Sequence, residues 1–412
     1  MLRVGVVAQQ TSGTSGGAFT FQHEIVRAIF DIPVDQEIQW IIITPAGGVM
    51  SQLGLSSEFI QHAELSLSPR EHKFGITMKW FTSHLKSMLS GYRFRTTTER
   101  RSEYLEKKLS FLKLDVIWYL SPQPFTQEIP YVLTVWDIQH RLQPWFPEVS
   151  SNGIWMRREV GTTSQLQRAA ILVTGNNVGA TEIAAVYSIP LGRILVNPLP
   201  VPTDAVDYEL NPVSSDSIRS FREGIGDFIL YPARFWVHKN HKVLLEAIAL
   251  LAATSGIVPK LVMTGSDAGN LDYIHGVIEN LDITEHVINL GFIDRTDLLY
   301  LYSEATALVF PSMFGPDNIP PLEAMAIGCP VLVADDPGMR EQLGSAALYL
   351  SSIDALEWAN AITKIAQDSE LREGLIALGK AKIQDCTTEK YVDNVKKRLL
   401  EFKKIRETWG SP

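Results

Sequence analysis

Cysteine is nearly absent. Cys329 and Cys386 are the only two, too few for a disulfide framework and without the spacing of a zinc site. Such usage suits a reducing cytoplasm. Long apolar runs are missing too: the longest candidate, from Ala247 to Val258, is helical in pattern and shorter than a membrane span. The opening stretch from Val4 to Ala8 gives way to Gln9 and Gln10, too early for a signal peptide. Basic charge is in deficit, with 37 lysines and arginines against 46 acidic residues and a net charge of −9. That balance speaks against nucleic-acid binding by the general surface. There is no internal repeat of 20–50 residues and no low-complexity tract. What is present is globular: 45% hydrophobic and 20% charged residues exclude wholesale disorder, collagen and coiled coil. A length of 412 residues favours two domains.

Short β-rich runs alternate with helical patterns, the mark of βαβ units and parallel sheets. Strands are expected at 3–8, 38–43, 116–119, 131–135, 171–174 and 193–196 in the first half. In the second half they are expected at 228–231, 261–264, 287–290, 307–310, 331–334 and 347–350. Between the halves lies Asn197-Pro198-Leu199-Pro200-Val201-Pro202-Thr203-Asp204. Three prolines in five positions suit neither a helix interior nor a central strand, so the linker is placed here. The alternative is one large sheet with a proline-rich loop. A last amphipathic helix, rich in lysine and arginine, is expected after Thr388.

The sharpest segment runs from Ala307 to Ala334 and reads as strand, loop, short helix and strand. Pro320 and Pro321 suit a helix's first turn, where missing N–H groups cost nothing. Gly328 supplies a left-handed cap and Pro330 enforces the stop. A loop feeding a helix N-terminus favours phosphate. Glu323 is expected in the first turn, where two readings stand open: a carboxylate accepting two ribose hydroxyls, or one that only complements the helix dipole.

That pattern (Pro311-Ser312, a loop with Gly315, then Pro320-Pro321-Leu322-Glu323-Ala324-Met325-Ala326, Gly328, Pro330-Val331) resembles the donor-binding signature of retaining, family 4-type glycosyltransferases, the glycosyl transferases group 1. The resemblance implies an α/β chain of GT-B fold: two facing Rossmann-like domains with parallel sheets, and a C-terminal helix crossing back to the first. It places an acceptor-binding domain at 1–200, a nucleotide-sugar domain at 201–387 and the returning helix at 388–412. The family's two glutamates are separated by seven residues. Here the second is Glu323, but Gly315 stands at the place of the first, with Asp317 or loop backbone as the substitute. By the family's pattern Asn318, Ile319 and Pro320 line the phosphate and sugar pocket, and Glu323 holds the ribose.

A second segment, from Phe228 to His241, is a strand emptying into a basic, aromatic loop. Arg234 and Lys239 there offer a fork and a point charge, placed outside a strand's carboxyl end, where ligands of open parallel sheets bind. A solvated loop would show the same residues; the resemblance makes them the clamp on the nucleotide diphosphate. Gly265 ends one strand and Asn289 another. By resemblance the nucleobase passes Asn289 and Phe292. Gly16 and Gly17 after the first strand lack the dinucleotide fingerprint, yet permit close backbone approach; the resemblance sets them across the cleft from the donor phosphate. His140 is a candidate for a sugar hydroxyl or a proton near neutral pH, or else packs beneath its loop.

From Arg70 to Lys113 the local charge is +7 while the remainder of the chain carries −16. Trp80, Phe81, Tyr92 and Phe94 are interleaved. Such a stretch suits an anionic membrane surface, an anionic acceptor, or a solvated helix. The expected function is transfer of a hexose, glucose before mannose, from a nucleoside diphosphate sugar, UDP before GDP. The acceptor is a saccharide or a lipid-linked one, in surface polysaccharide biosynthesis. No cofactor and no metal are expected, because Arg234, Lys239 and loop amides would carry the leaving charge. The location is cytoplasmic, with peripheral contact to the membrane's inner face. A nucleotide-sugar-binding protein that has lost transfer, and a nucleotide-sugar epimerase, are the alternatives.

Overall fold

The computed structural model describes residues 1–8, 17–32, 36–45, 60–65, 105–126, 128–208, 210, 212–254 and 258–408. Gly16 and the part of the basic stretch from Arg70 to Tyr104, with Trp80, Phe81, Tyr92 and Phe94, lie outside them.

The first sheet has strands β1 (Leu2–Val7), β2 (Ile38–Pro45), β3 (Gln61–Leu65), β4 (Val116–Tyr119), β5 (Tyr131–Thr134), β6 (Ile171–Thr174) and β7 (Ile194–Val196). They lie in the order β3-β2-β1-β4-β5-β6-β7. The second has β8 (Phe228–Pro232), β9 (Lys260–Thr264), β10 (Val287–Asn289), β11 (Ala307–Phe310), β12 (Val331–Ala334) and β13 (Leu348–Leu350), in the order β10-β9-β8-β11-β12-β13. Every pairing is parallel. Parallel strands covered on both faces read as near-continuous apolar runs, which is why twelve of these strands are visible in the sequence. The exception is β3: Gln61-His62-Ala63-Glu64-Leu65 is a polar strand that, among the described residues, pairs with β2 alone.

Alternation sorts the first sheet's side chains onto two faces. Val4, Val6, Val116, Trp118 and Val132 face one core, with Phe21, Ile25 and Ile29 of the helix Gly17–Asp31. Val7, Ile117, Tyr119, Leu133 and Leu172 face the other. The second sheet has its own core, running from Phe228 through Trp358 to Leu375.

The proline-rich segment leaves β7 and ends in the short helix Thr203–Val206. Beside it the chain returns: the amide of Val201 donates to the Cys386 carbonyl at 2.8 Å. The helix Thr388–Arg406 then packs on Gly17–Asp31. Its Tyr391, Val392, Val395 and Leu399 are buried in the first sheet's core. Tyr391 meets Phe21 edge-on at 5.4 Å and stacks on Trp118 at 6.4 Å. Asn197 donates to the Tyr391 carbonyl at 3.0 Å and accepts from Asn394 at 3.0 Å.

Strand order reverses direction at β1/β4 and at β8/β11. In open parallel sheets a ligand crevice opens outside the carboxyl ends at such points. The two crevices face each other here, and loops from both sheets meet.

Candidate active site

Between the domains lies a cavity of 610 Å³. Gly17, Thr20, His23, Glu24 and Arg27 of the first helix form one wall. Arg234 and Ala233 after β8, Gly265 and Ser266 after β9, Phe292 to Arg295 after β10, and Ile319, Pro320 and Glu323 after β11 form the other. Of the residues singled out in the sequence, Gly17, Arg234, Gly265, Phe292, Ile319, Pro320 and Glu323 line this one space.

Close approach is built into the loops. Gly265 has φ +144, and a β-carbon there would stand 2.3 Å from the Ala233 carbonyl oxygen, so only glycine fits. Its amide donates to the Gly291 carbonyl at 2.8 Å, tying two loops together. Asn289 shapes the second loop by accepting from the Gly291 amide at 2.9 Å; it does not line the cavity. At the domain boundary a β-carbon on Gly17 would lie 3.3 Å from Cδ1 of Ile319. Two helix N-termini therefore converge, at Gly17 and at Ile319, and both positive dipole ends favour an anion between them. Among the first three residues of Ile319–Ile327 the two prolines carry no N–H, so Ile319 alone offers a free amide in that turn.

Arg234 is exposed, donates from Nε to the Ser266 hydroxyl at 3.0 Å and lies 5.3 Å over the Trp236 ring. Lys239 is half-buried, with Nζ donating to the Ser312 hydroxyl at 3.2 Å and Oδ1 of Asn318 at 3.4 Å. Asn318 is the N-cap of the Ile319–Ile327 helix, so the ammonium stands beside that helix's positive end. Burial pushes Lys239 down to about 8, against the pull of Asp137 and Glu148.

Three placements differ from the sequence reading. Glu323 is the fifth residue of its helix, and the first turn has no acidic residue; the dipole reading therefore loses its geometry. Its carboxylate accepts from Arg295 at 2.6 Å and from the Tyr302 hydroxyl at 3.0 Å. His140 is fully buried. Its Nε2 pairs with Glu159 at 3.1 Å and with the Tyr187 hydroxyl at 3.2 Å, so it packs beneath its loop and does not reach the cavity. Burial and the Arg158 charge push its pKa below the usual histidine range. Asp317 also lies off the cavity, against Gly175, where a β-carbon would meet its carboxylate at 1.7 Å. Burial, with the charges of Asp137 and Glu341, pushes it up to about 7. It does not stand in for a glutamate at position 315. Gly315 itself has φ +102, a backbone that any other L residue would strain.

The domains touch through the same loops. His238 stacks on Phe314 at 3.6 Å and its amide donates to Glu148 at 2.9 Å. Gln143 donates to the Met313 carbonyl at 2.9 Å, and Asn176 donates to the Pro316 carbonyl. Glu341 accepts from the amides of Asn177 at 2.7 Å and Val178 at 3.0 Å.

Sequence reasoning missed Arg295, Asp204 and Tyr302 in the second wall, and His23, Glu24 and Arg27 in the first. One signal was available for the pair on the helix Arg295–Glu304: Arg295 and Tyr302 are seven apart, hence on one face.

Residues 216–382 match the family described as glycosyl transferases group 1. The chain is 26% identical over 232 residues to the O-antigen chain mannosyltransferase B of Escherichia coli, covering 54% of this chain and 60% of that protein. It is 38% identical over 170 residues to the O-antigen chain mannosyltransferase RfbU of Salmonella typhimurium, covering 40% of this chain and 46% of that one. It thus spans about half the length of these curated relatives. The crystal structure of Anabaena HepE in complex with UDP-glucose superposes with a TM-score of 0.69 at 16% identity, over 97% of this chain and 100% of that one. The fold is GT-B, two Rossmann-like domains with facing parallel sheets. No helix among the described residues is long and apolar enough to cross a membrane. The likeness to the glycosyl transferases group 1 family is carried by residues 216–382, the part of the second domain that supplies Arg234, Gly265 and Glu323 to the cavity.

Proposed function

We propose that the chain is a glycosyltransferase moving a hexose from a nucleoside diphosphate sugar to a saccharide or lipid-linked acceptor, with retention at the anomeric carbon. The observation that carries this reading is the one cavity on which Arg234, Gly17, Ile319, Pro320 and Glu323 converge from two domains. Breaking the bond from anomeric carbon to phosphate oxygen leaves negative charge on the diphosphate. On this reading Arg234 in the cavity wall, Lys239 off the lining beside the N-cap Asn318, and the two converging helix ends offset that charge before it develops. The acceptor hydroxyl can give its proton to the departing phosphate oxygen on the same face, so no protein nucleophile is called for. Glu323 keeps acceptor capacity beyond Arg295 and Tyr302 and takes the ribose hydroxyls. Relatives named as mannosyltransferases support mannose ahead of glucose as the sugar. A panel of UDP-glucose, GDP-mannose and their free nucleotides, scored for thermal stabilisation and slow hydrolysis, tests both points. Stabilisation by none of them sinks the assignment; stabilisation with no transfer or hydrolysis leaves a binding protein.

The charge on Lys239 makes the reaction pH-dependent. Its folded pKa of about 8 lies below the usual lysine value of about 10.4. As pH rises through about 8 the ammonium is lost and kcat/KM should fall. Stability moves the other way: between the two values the unfolded chain holds the extra proton, so this group adds stability as pH rises. Bound diphosphate lifts the lysine pKa, so the fall in kcat should come at higher pH. A rate profile flat to pH 10 would remove Lys239 from the charge-bearing role.

Transfer should also survive EDTA, because fixed cations can do a metal's work at a diphosphate. Loss on chelation with recovery on adding manganese would contradict this. We further propose that the stretch from Arg70 to Lys113 meets an anionic membrane surface, which holds lipid-linked acceptors. Co-sedimentation with anionic vesicles should then be measurable and should weaken with salt. Equal, negligible binding to neutral and anionic vesicles would leave the stretch to the acceptor or to solvent.

A further inference from the structure

We propose that Arg295 is a positioning residue that aims Glu323 into the cavity and that, through Asp204, Thr203 and Glu24, it ties this aim to the first domain. The proposal rests on the reading of the cavity as a nucleotide-sugar site. The Glu323 side chain is only 5% exposed, and a carboxylate buried without a cation is costly and swings or takes up a proton. Arg295 supplies the cation. Its planar fork is used on two sides: Nη1 reaches Glu323 at 2.6 Å, while Nε and Nη2 reach the two oxygens of Asp204 at 2.8 and 2.7 Å. Burial alone would lower the guanidinium's pKa; Glu323 and Asp204 hold it above its usual value.

Asp204 follows Thr203 at the end of the segment that joins the domains. The Thr203 amide and hydroxyl donate to Glu24 of the first-domain helix at 3.0 and 2.5 Å. A continuous polar chain therefore runs Glu24, Thr203, Asp204, Arg295, Glu323, Tyr302. Glu24, Asp204, Arg295, Glu323 and Tyr302 all line the cavity. Lysine could keep the charge but not span both carboxylates, because its ammonium is a point charge and not a fork. Thr203–Val206 is packed with the second domain, where Ala205 sits in the core, so a shift of the first domain moves Glu24, pulls on Thr203 and, through Asp204, bears on the fork that aims the carboxylate. Nucleotide affinity and domain arrangement are thereby linked.

The test is calorimetric titration of wild type, Arg295→Lys, Asp204→Asn and Glu24→Gln with UDP, GDP and inorganic pyrophosphate. Pyrophosphate has no ribose, so it reports the cationic part of the site alone. The nucleotide that binds wild type should bind Arg295→Lys and Asp204→Asn roughly tenfold or more weakly, the scale of one charged hydrogen bond. Glu24→Gln should shift it in the same direction, and pyrophosphate affinity should stay level in all three. Asp204 is 45% exposed in its side chain, so Asp204→Asn should fold and unfold like wild type. Unchanged nucleotide affinity in both Arg295→Lys and Asp204→Asn overturns the proposal. So does an equal loss for pyrophosphate, which would mark a collapsed cavity. Wild type that binds pyrophosphate but neither nucleotide overturns the site reading instead.

Discussion

Turnover of Arg234→Ala and of Lys239→Ala is expected to fall roughly a hundredfold or more, the scale of deleting one preorganised charge-stabilising donor. The two should differ in what else they change. Arg234 is exposed and makes one hydrogen bond, to Ser266, so its loss should leave the melting temperature within a degree or two. Lys239 is desolvated, and its removal frees Ser312 and Asn318 while relieving a buried charge. Its melting temperature should stay level or rise, with activity still lost, because the burial that depresses its pKa works against the folded state. Steady-state kinetics with a thermal scan checks both. Full turnover in both mutants would detach the β8 loop from the chemistry.

The second large effect belongs to Glu323→Gln. The change keeps shape but removes the charge that Arg295 pairs with and that the proposed function assigns to a ribose. Nucleotide affinity should weaken by about 1.5–3 kcal/mol, as for a hydrogen bond to a charged group. The half-broken pair with Arg295 should also lower stability, though less than the about 3–5 kcal/mol of deleting a buried partner outright, since the amide oxygen still accepts. Calorimetry with UDP and GDP separates the two losses: reduced stability at unchanged affinity would make Glu323 only the counter-ion of Arg295.

Much of this was legible in one dimension because parallel strands are apolar throughout and their loops are short. Twelve of the thirteen strands among the described residues are marked by continuous runs such as Ile171-Leu172-Val173-Thr174. The exception, β3, carries polar residues at Gln61, His62 and Glu64 and so shows no apolar run, unlike the other edge strands β7, β10 and β13. The helix Ile319–Ile327 was marked from both ends, by its tandem prolines and by Gly328, whose φ of +84 is the left-handed cap expected of it.

Partners far apart in sequence were not legible. A local motif reports which residues stand at a strand's end, so Arg234, Gly265 and Glu323 could be named from the chain alone. It does not report what a side chain meets across a fold. His140 and Asp317 have site-like chemistry, but Tyr187 with Glu159 and Gly175 claim them from elements 19 to 142 residues away. Arg295 carries no motif at all. Its role exists because the joining segment brings Asp204 to within 2.7 Å from 91 residues upstream, and because a buried carboxylate at 323 requires a cation. Sequence by itself determined the strands, the caps and the loops that face the cleft, since these follow from hydrophobic period and backbone freedom. Tertiary structure decided which charges are neutralised and which remain for a ligand, since that depends on distance through space.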